Sequence, residues 1–317
     1  MLNNITAIII GGGIAGPAMA ITLQKIGISC TIYELRPGPA TIGGVTGLSP
    51  NAVRVLDRLG LYEEISKIGH AYEKIEMFSL SSGRLLGHLP FRGKERFGYN
   101  AMRVGRNDLQ ELMLRAAVEA GVQVRYGKKL VGVEEREDSI IARFEDGDEA
   151  VGGLLFGCDG IHSAVRAKYV EPPRSPTYTG ISSAYGFVPV TKIAAPIHFN
   201  EPALNMSHQG SLLTTYCDSE KKAIFLAAVM EVEEQSGQDG WRARGRVADE
   251  ARNNLLKRFE TRNIPSVAEM TGGIEELYFY PVFTLSNGGQ WFKGRAILIG
   301  DAAHAVSFSP SPSLDFV

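Results

Sequence analysis

Apolar residues run unbroken from Ile5 to Ile10 apart from Thr6, give way to Gly11-Gly12-Gly13-Ile14-Ala15-Gly16, and resume in a small-residue stretch reaching Ile26. A second run, Ile28 to Tyr33, ends on Glu34. The first run is continuous and β-branched, the pattern of a parallel strand buried on both faces. The glycine passage then predicts a tight turn into a helix, and the second run a neighbouring strand. No charge appears between Met1 and Gln24, but four glycines and a proline sit inside that stretch. With no basic cluster before it, the stretch suits neither a membrane helix nor a secretory signal.

Further along, Ser49-Pro50 predict a helix start, Val53, Leu56 and Leu59 share its apolar face, and Gly60 stops it. Residues 72–80 and 84–89 flank Ser-Ser-Gly and predict a hairpin. A helix capped by Asn107 or Asp108 carries Leu109, Leu112, Met113, Ala116 and Ala120, and ends at Gly121. Short strands follow at 122–126, 128–136, 139–145 and 151–156, the last entering Gly157-Cys158-Asp159-Gly160, a second strand–turn–helix. Glu171-Pro-Pro-Arg-Ser-Pro176 is a linker by composition. Beyond it come β runs at 181–190, 211–217 and 223–230, an amphipathic helix from Trp241 to Phe259, and a strand at 275–280. A final buried strand, Lys293–Ile299, ends at Gly300-Asp301-Ala-Ala-His304. The expected fold is α/β: a Rossmann-like domain of residues 1–170 and 276–317, and a mostly antiparallel substrate-binding sheet over 171–275. The hairpin at 72–89 is a candidate to join that sheet.

Composition narrows the functions. Over 317 residues, 44% are apolar, 21% are charged and the net charge is −2. That balance gives no electrostatic reason to expect nucleic acid or an anionic membrane as a partner. Cys30, Cys158 and Cys217 are too far apart for a metal constellation and odd in number, which suits reduced thiols in the cytoplasm.

The glycine spacing carries chemistry. Gly11, Gly13 and Gly16 fit G-x-G-x-x-G where strand becomes helix. The first glycine permits the turn, the second lets a pyrophosphate approach the backbone, and the third lets helix and strand pack closely. The helix N-terminus offers N–H donors and partial positive charge to a diphosphate. Glu34, at the end of the next strand, suits the two hydroxyls of a ribose and repels a 2′-phosphate, so FAD or NAD is expected there rather than NADP. Residues 42–47 are either a mobile loop or a glycine-lined wall against the cofactor. Arg106, at a helix start, is either a surface arginine or one matched to an anion. Asp159 lies at a strand end, where ligands bind in parallel sheets. His162 is either a base or a locally bonded residue.

Together, Gly11-x-Gly13-x-x-Gly16 with Glu34, Arg106 in Val-Gly-Arg-Asn-Asp-Leu, Cys158-Asp159-Gly160 through Arg166, and Gly300-Asp301-Ala-Ala-His304 resemble the group A flavoprotein monooxygenases. The likeness is to the p-hydroxybenzoate and salicylate hydroxylases, especially fungal members, and runs to about residue 306. It implies that Glu34 holds the FAD ribose, that Arg106 lies along the ADP portion, and that Gly47 lines the same cleft. It further implies that Asp159 serves both FAD and a transient NAD(P)H, and that Asp301 binds the ribityl chain. The implied reaction is hydroxylation or epoxidation of a small aromatic or polyketide-like substrate with NAD(P)H and oxygen.

Two departures stand out. Where the family has Pro-x-x-Gly-Gln-Gly-x-Asn, this chain reads Phe308-Ser-Pro-Ser-Pro-Ser-Leu-Asp-Phe316 and stops at Val317, which suggests truncation. Prolines at 310 and 312 disfavour the helix that would face the flavin ring, so the chemical step is the one at risk. Where some fungal members have Trp-Arg-Gly, with the arginine and a tyrosine binding a phenolate, this chain has Ala184-Tyr185-Gly186. Tyr185 and Tyr216 are the candidate catalytic residues, with sheet packing an equal reading of Tyr216. The alternatives are a shortened flavoprotein with a non-redox or lost activity, and a non-enzymatic escort protein on the same fold.

Overall fold

Strand Thr6–Ile10 takes a central position in a six-stranded sheet because its residues are all apolar after Thr6 and its neighbours bury both faces. Ile8, Ile9 and Ile10 are all within the core. In a computed structural model describing residues 5–39, 43–232 and 248–305, the sheet order is 292–293, 296–298, 154–157, 6–10, 29–33, 123–125. All neighbours are parallel except the edge pair Phe292–Lys293 and Ala296–Leu298. A three-stranded antiparallel sheet, 130–135, 140–144 and 149–152, contributes Leu130, Ile140 and Phe144 to the cluster around Ile8, Ile10 and Leu155. Helix Ala15–Lys25 follows the glycine turn, as the spacing predicts.

The chain divides into two compact units, one of residues 1–39, 113–179 and 282–317, the other of 40–112 and 180–281. Residues 40–112, expected with the Rossmann-like part, therefore group with the second unit. There, a seven-stranded sheet runs in the order 278–284, 177–189, 223–231, 210–216, 203–207, 74–79, 85–90. It includes the 72–89 hairpin and one parallel pair, 203–207 with 74–79. Helices Ala248–Phe259 and Pro265–Gly272 supply Leu255, Phe259, Val267 and Met270 to the core over Leu212, Ile224 and Leu226. A separate small sheet joins 45–48, 101–105 and 70–72. Helix Pro50–Leu59 begins at the proline and stops at Gly60, whose φ of 87° needs a residue without Cβ.

Beneath the large sheet lies a buried polar network. Nδ1 of His198 is 3.0 Å from the Ser266 hydroxyl and its Nε2 is 2.8 Å from Oδ1 of Asn205. The Asn205 amide donates to the Leu212 carbonyl and the Thr214 hydroxyl, so every polar atom of the group has a use in packing.

The segment 171–176 is not the loose linker its composition suggests. Arg174 is buried, donates through Nη1 to the Ala303 carbonyl at 3.0 Å and through Nη2 to the Ser286 carbonyl at 2.5 Å, and lies 3.6 Å from Glu171. The end of the predicted basic helix nearest Trp241, and residues 308–316, lie outside the described residues. Among the described residues no helix is long and apolar enough to cross a membrane. Cys30, Cys158 and Cys217 are free thiols.

Candidate functional site: strand ends around a glycine turn

In the first unit, parallel strands bring their carboxyl ends to one edge of the sheet, so Gly11, Glu34, Cys158-Asp159 and Gly300-Asp301 are assembled there. Gly11 and Gly16 meet the turn and packing demands read from their spacing. Gly11 has φ of 108°, and a Cβ on it would strike the Cys158 carbonyl. One on Gly16 would strike the Gly11 carbonyl, whereas Gly13 has nothing within 4 Å. Two glycines thus permit close packing, and the third leaves a backbone open to a ligand. Ile14, which precedes helix Ala15–Lys25, makes no side-chain cap, so its own side chain leaves the N-terminal N–H groups to a ligand.

Glu34 is already aimed. Its Oε2 accepts the Gly12 N–H at 2.6 Å and its Oε1 the Arg36 N–H at 2.9 Å. Each carboxylate oxygen keeps a further lone pair, which is what two ribose hydroxyls require. Asp159 turns its Oδ2 onto the N–H groups of Ala164 at 2.7 Å and Val165 at 3.2 Å. Among the described residues its Oδ1 is buried without a hydrogen-bond partner. Burial raises the pKa of this carboxyl, against lowering contributions from Ser163 and backbone N–H groups. An orphaned buried acceptor beside Gly11 is one that a ligand hydroxyl or N–H would satisfy. Asp301 is exposed, directly after Gly300, at the start of helix Asp301–His304.

That last turn is held from behind by two arginines that sequence reading left without a role. Arg166, 1% exposed, donates to the carbonyls of Ala302, Arg174 and Ile161. Arg174 holds the Ala303 carbonyl, as above. These residues therefore fit FAD: an open glycine backbone, an uncapped helix, an oriented carboxylate and an exposed acid on a clamped turn.

The second unit carries Gly47, Arg106, Tyr185 and Tyr216. The Arg106 N–H donates to the Gly44 carbonyl, and its side chain is exposed. Tyr185 stacks on Tyr278 at 5.0 Å and packs against Phe225 at 5.7 Å and Tyr280 at 5.9 Å. Burial and the two neighbouring tyrosines raise its pKa, while Arg106 lowers it. Tyr216 belongs to a different group: it meets His70 edge-on at 5.5 Å and Phe199 at 5.4 Å, and burial raises its pKa. The two candidate tyrosines share no ring contact among the described residues.

The FAD binding domain family matches residues 4–311. The chain belongs to that family. It is 30% identical to 3-amino-4-hydroxybenzoate 2-monooxygenase of Streptomyces platensis over 298 residues, 93% of this chain and 72% of the relative. A 6-hydroxynicotinate 3-monooxygenase of Pseudomonas fluorescens is 23% identical over 93% of this chain and 75% of its own length. HpxO of Klebsiella pneumoniae, solved with FAD and uric acid, superposes with a TM-score of 0.82 at 24% identity, covering 97% of this chain and 75% of that one. That likeness shows the α/β fold. The relatives are FAD-dependent monooxygenases, and this member of the family is an FAD-binding oxidoreductase.

Proposed function

We propose that the protein is an NAD(P)H-dependent FAD monooxygenase acting on a small aromatic molecule. The observation that carries this is the gathering of an open glycine turn, Glu34, Asp159 and Asp301 at the carboxyl edge of one parallel sheet, in a chain whose relatives are flavin monooxygenases. Overall, two electrons from NAD(P)H and one O2 give one oxygen atom to the substrate and one to water.

FAD, when bound, supplies the electron transfer and oxygen activation. Glu34 would accept the ribose hydroxyls, Gly13 and the first turn of helix Ala15–Lys25 the pyrophosphate, and Asp301 the ribityl chain. Arg106 would oppose the phosphates, and Gly47 would line the cofactor cleft. Asp159 offers its orphaned oxygen to FAD or to the passing nicotinamide nucleotide. Tyr216 and Tyr185 both have pKa values raised by burial, so each keeps its proton at neutral pH and can donate it to a substrate oxygen. With Tyr278, Tyr280 and Phe225, Tyr185 also presents ring faces suited to an aromatic substrate. We place the reaction in the cytoplasm, where NAD(P)H is available and free thiols persist.

Purified protein should be yellow and release FAD on denaturation. It should oxidise NAD(P)H faster with a suitable aromatic compound and yield a product heavier by one oxygen. Colourless protein that cannot be reconstituted with FAD would remove this reading.

A further inference from the structure

The small sheet of the second unit places Arg103, His70 and Tyr72, none of which has a cofactor role, in one row beside Gly47. Gly47 lies opposite Arg103, and Arg103 opposite His70, across strands Val45–Leu48, Ala101–Gly105 and His70–Tyr72. Directly paired residues share a face, as do residues two apart on a strand, so Tyr72 joins the row. The guanidinium carbon of Arg103 is 5.4 Å from the centre of the Tyr72 ring. At the other end, His70 leads to Tyr216, over whose ring Lys221 sits at 5.0 Å.

Gly47 explains how the arginine fits. A Cβ there would stand 2.9 Å from Nη1 of Arg103 and 3.5 Å from the Tyr72 hydroxyl, so the guanidinium occupies the space the glycine leaves. Gly47 itself is exposed, which opens the row to solvent at that point.

Among the described residues no carboxylate pairs with Arg103, and its Nε is shielded from solvent without a hydrogen-bond partner. Burial lowers its pKa, and Tyr72 acts the other way. The contrast with Arg166, whose guanidinium is spent on three backbone carbonyls, is direct. Arg103 is half-buried, and the part of it that is desolvated without an anion costs stability that a methionine of similar length would not. The planar guanidinium fork matches a carboxylate through two parallel N–H donors. The neighbouring Tyr72 hydroxyl and ring suit an acid attached to an aromatic ring.

We propose that Arg103, flanked by Tyr72 and His70, is the receptor for the carboxylate of an aromatic acid substrate. This rests on the monooxygenase reading for the word substrate, but not for the anion site.

The test is calorimetric titration of the FAD-loaded protein with 4-hydroxybenzoate and with its uncharged methyl ester, in wild type, Arg103→Met and Arg103→Lys. Wild type should prefer the acid by about tenfold or more, the scale of a charge-assisted pair. Arg103→Met should abolish that preference while melting no lower than wild type, and Arg103→Lys should retain part of it. Wild type that binds neither probe, or both equally, overturns the proposal. So does a methionine variant that keeps the preference, or one that loses FAD instead. NAD(P)H oxidation measured on the same samples separates the two readings. Turnover of aromatic rings without any preference for acids sinks this site alone, whereas Arg103-dependent acid binding without oxygen transfer sinks the proposed reaction alone.

Discussion

Glu34 shows how much one side chain can settle. Its two oxygens are fixed by the backbone N–H groups of Gly12 and Arg36 before any ligand arrives. Replacement by glutamine keeps the shape but removes the charge and turns one acceptor into a donor facing an N–H. Hydrogen bonds to charged groups contribute about 1.5–3 kcal/mol, so Glu34→Gln should weaken FAD binding by about ten- to a hundredfold, read by ultrafiltration or flavin fluorescence. Gly16→Ala should act more severely, because its Cβ meets the rigid Gly11 carbonyl. Loss of both FAD and thermal stability is expected there, and a normally melting, yellow Gly16→Ala protein would contradict the packing described. At this scale the sequence was most legible. Gly11, Gly13, Gly16 and Glu34 declare themselves by spacing, since only glycine satisfies the turn and close approach. Arg103 did not, because the shielding of its Nε and the lack of a carboxylate beside it among the described residues are properties of its surroundings.

Among elements, legibility followed length and pattern. Helix Pro50–Leu59 carries its start, apolar face and stop in plain view, and it forms between those residues. Strands 45–48 and 70–72 are too short for alternation to stand out, and glycine or histidine interrupts each. Strand Ala203–Ser207 hides for another reason: Asn205 is fully buried yet polar, satisfied by His198, Leu212 and Thr214, which are brought to it only by folding. The arginine clamp on helix Asp301–His304 is likewise built from distant segments. Arg174→Met should leave the Ala303 and Ser286 carbonyls without that donor, at a cost of about 1–3 kcal/mol. Urea denaturation should show that loss, together with weaker FAD binding through Asp301. An unchanged midpoint would show the clamp to be dispensable.

For the whole molecule, histidines link stability to pH. His70, His162 and His198 each have a pKa lowered first by burial, so the folded state resists protonating them. The unfolded chain binds those protons more readily, near the ordinary histidine value of about 6.5. Their contribution is therefore present above that value and is lost as pH falls below it. Melting temperature should decline from neutral pH toward pH ~5, and His198→Asn should flatten part of that slope. A slope identical in the variant would remove His198 from the account. At this scale the α/β character followed from the order of runs, but the grouping of residues 40–112 with 180–281 did not. Contacts between segments far apart in the chain decide that grouping, and no local pattern records them.

Arg174 has a practical consequence for anyone dividing or relabelling this protein. The proline-rich stretch around it is where composition invites a cut, a tag or a new terminus, and it is the wrong choice. A nick there would release the strap behind Asp301, so a split reporter joined at residue 174 should reassemble colourless. The same break in the hairpin turn at His208-Gln209 spares that strap and should leave the pigment in place.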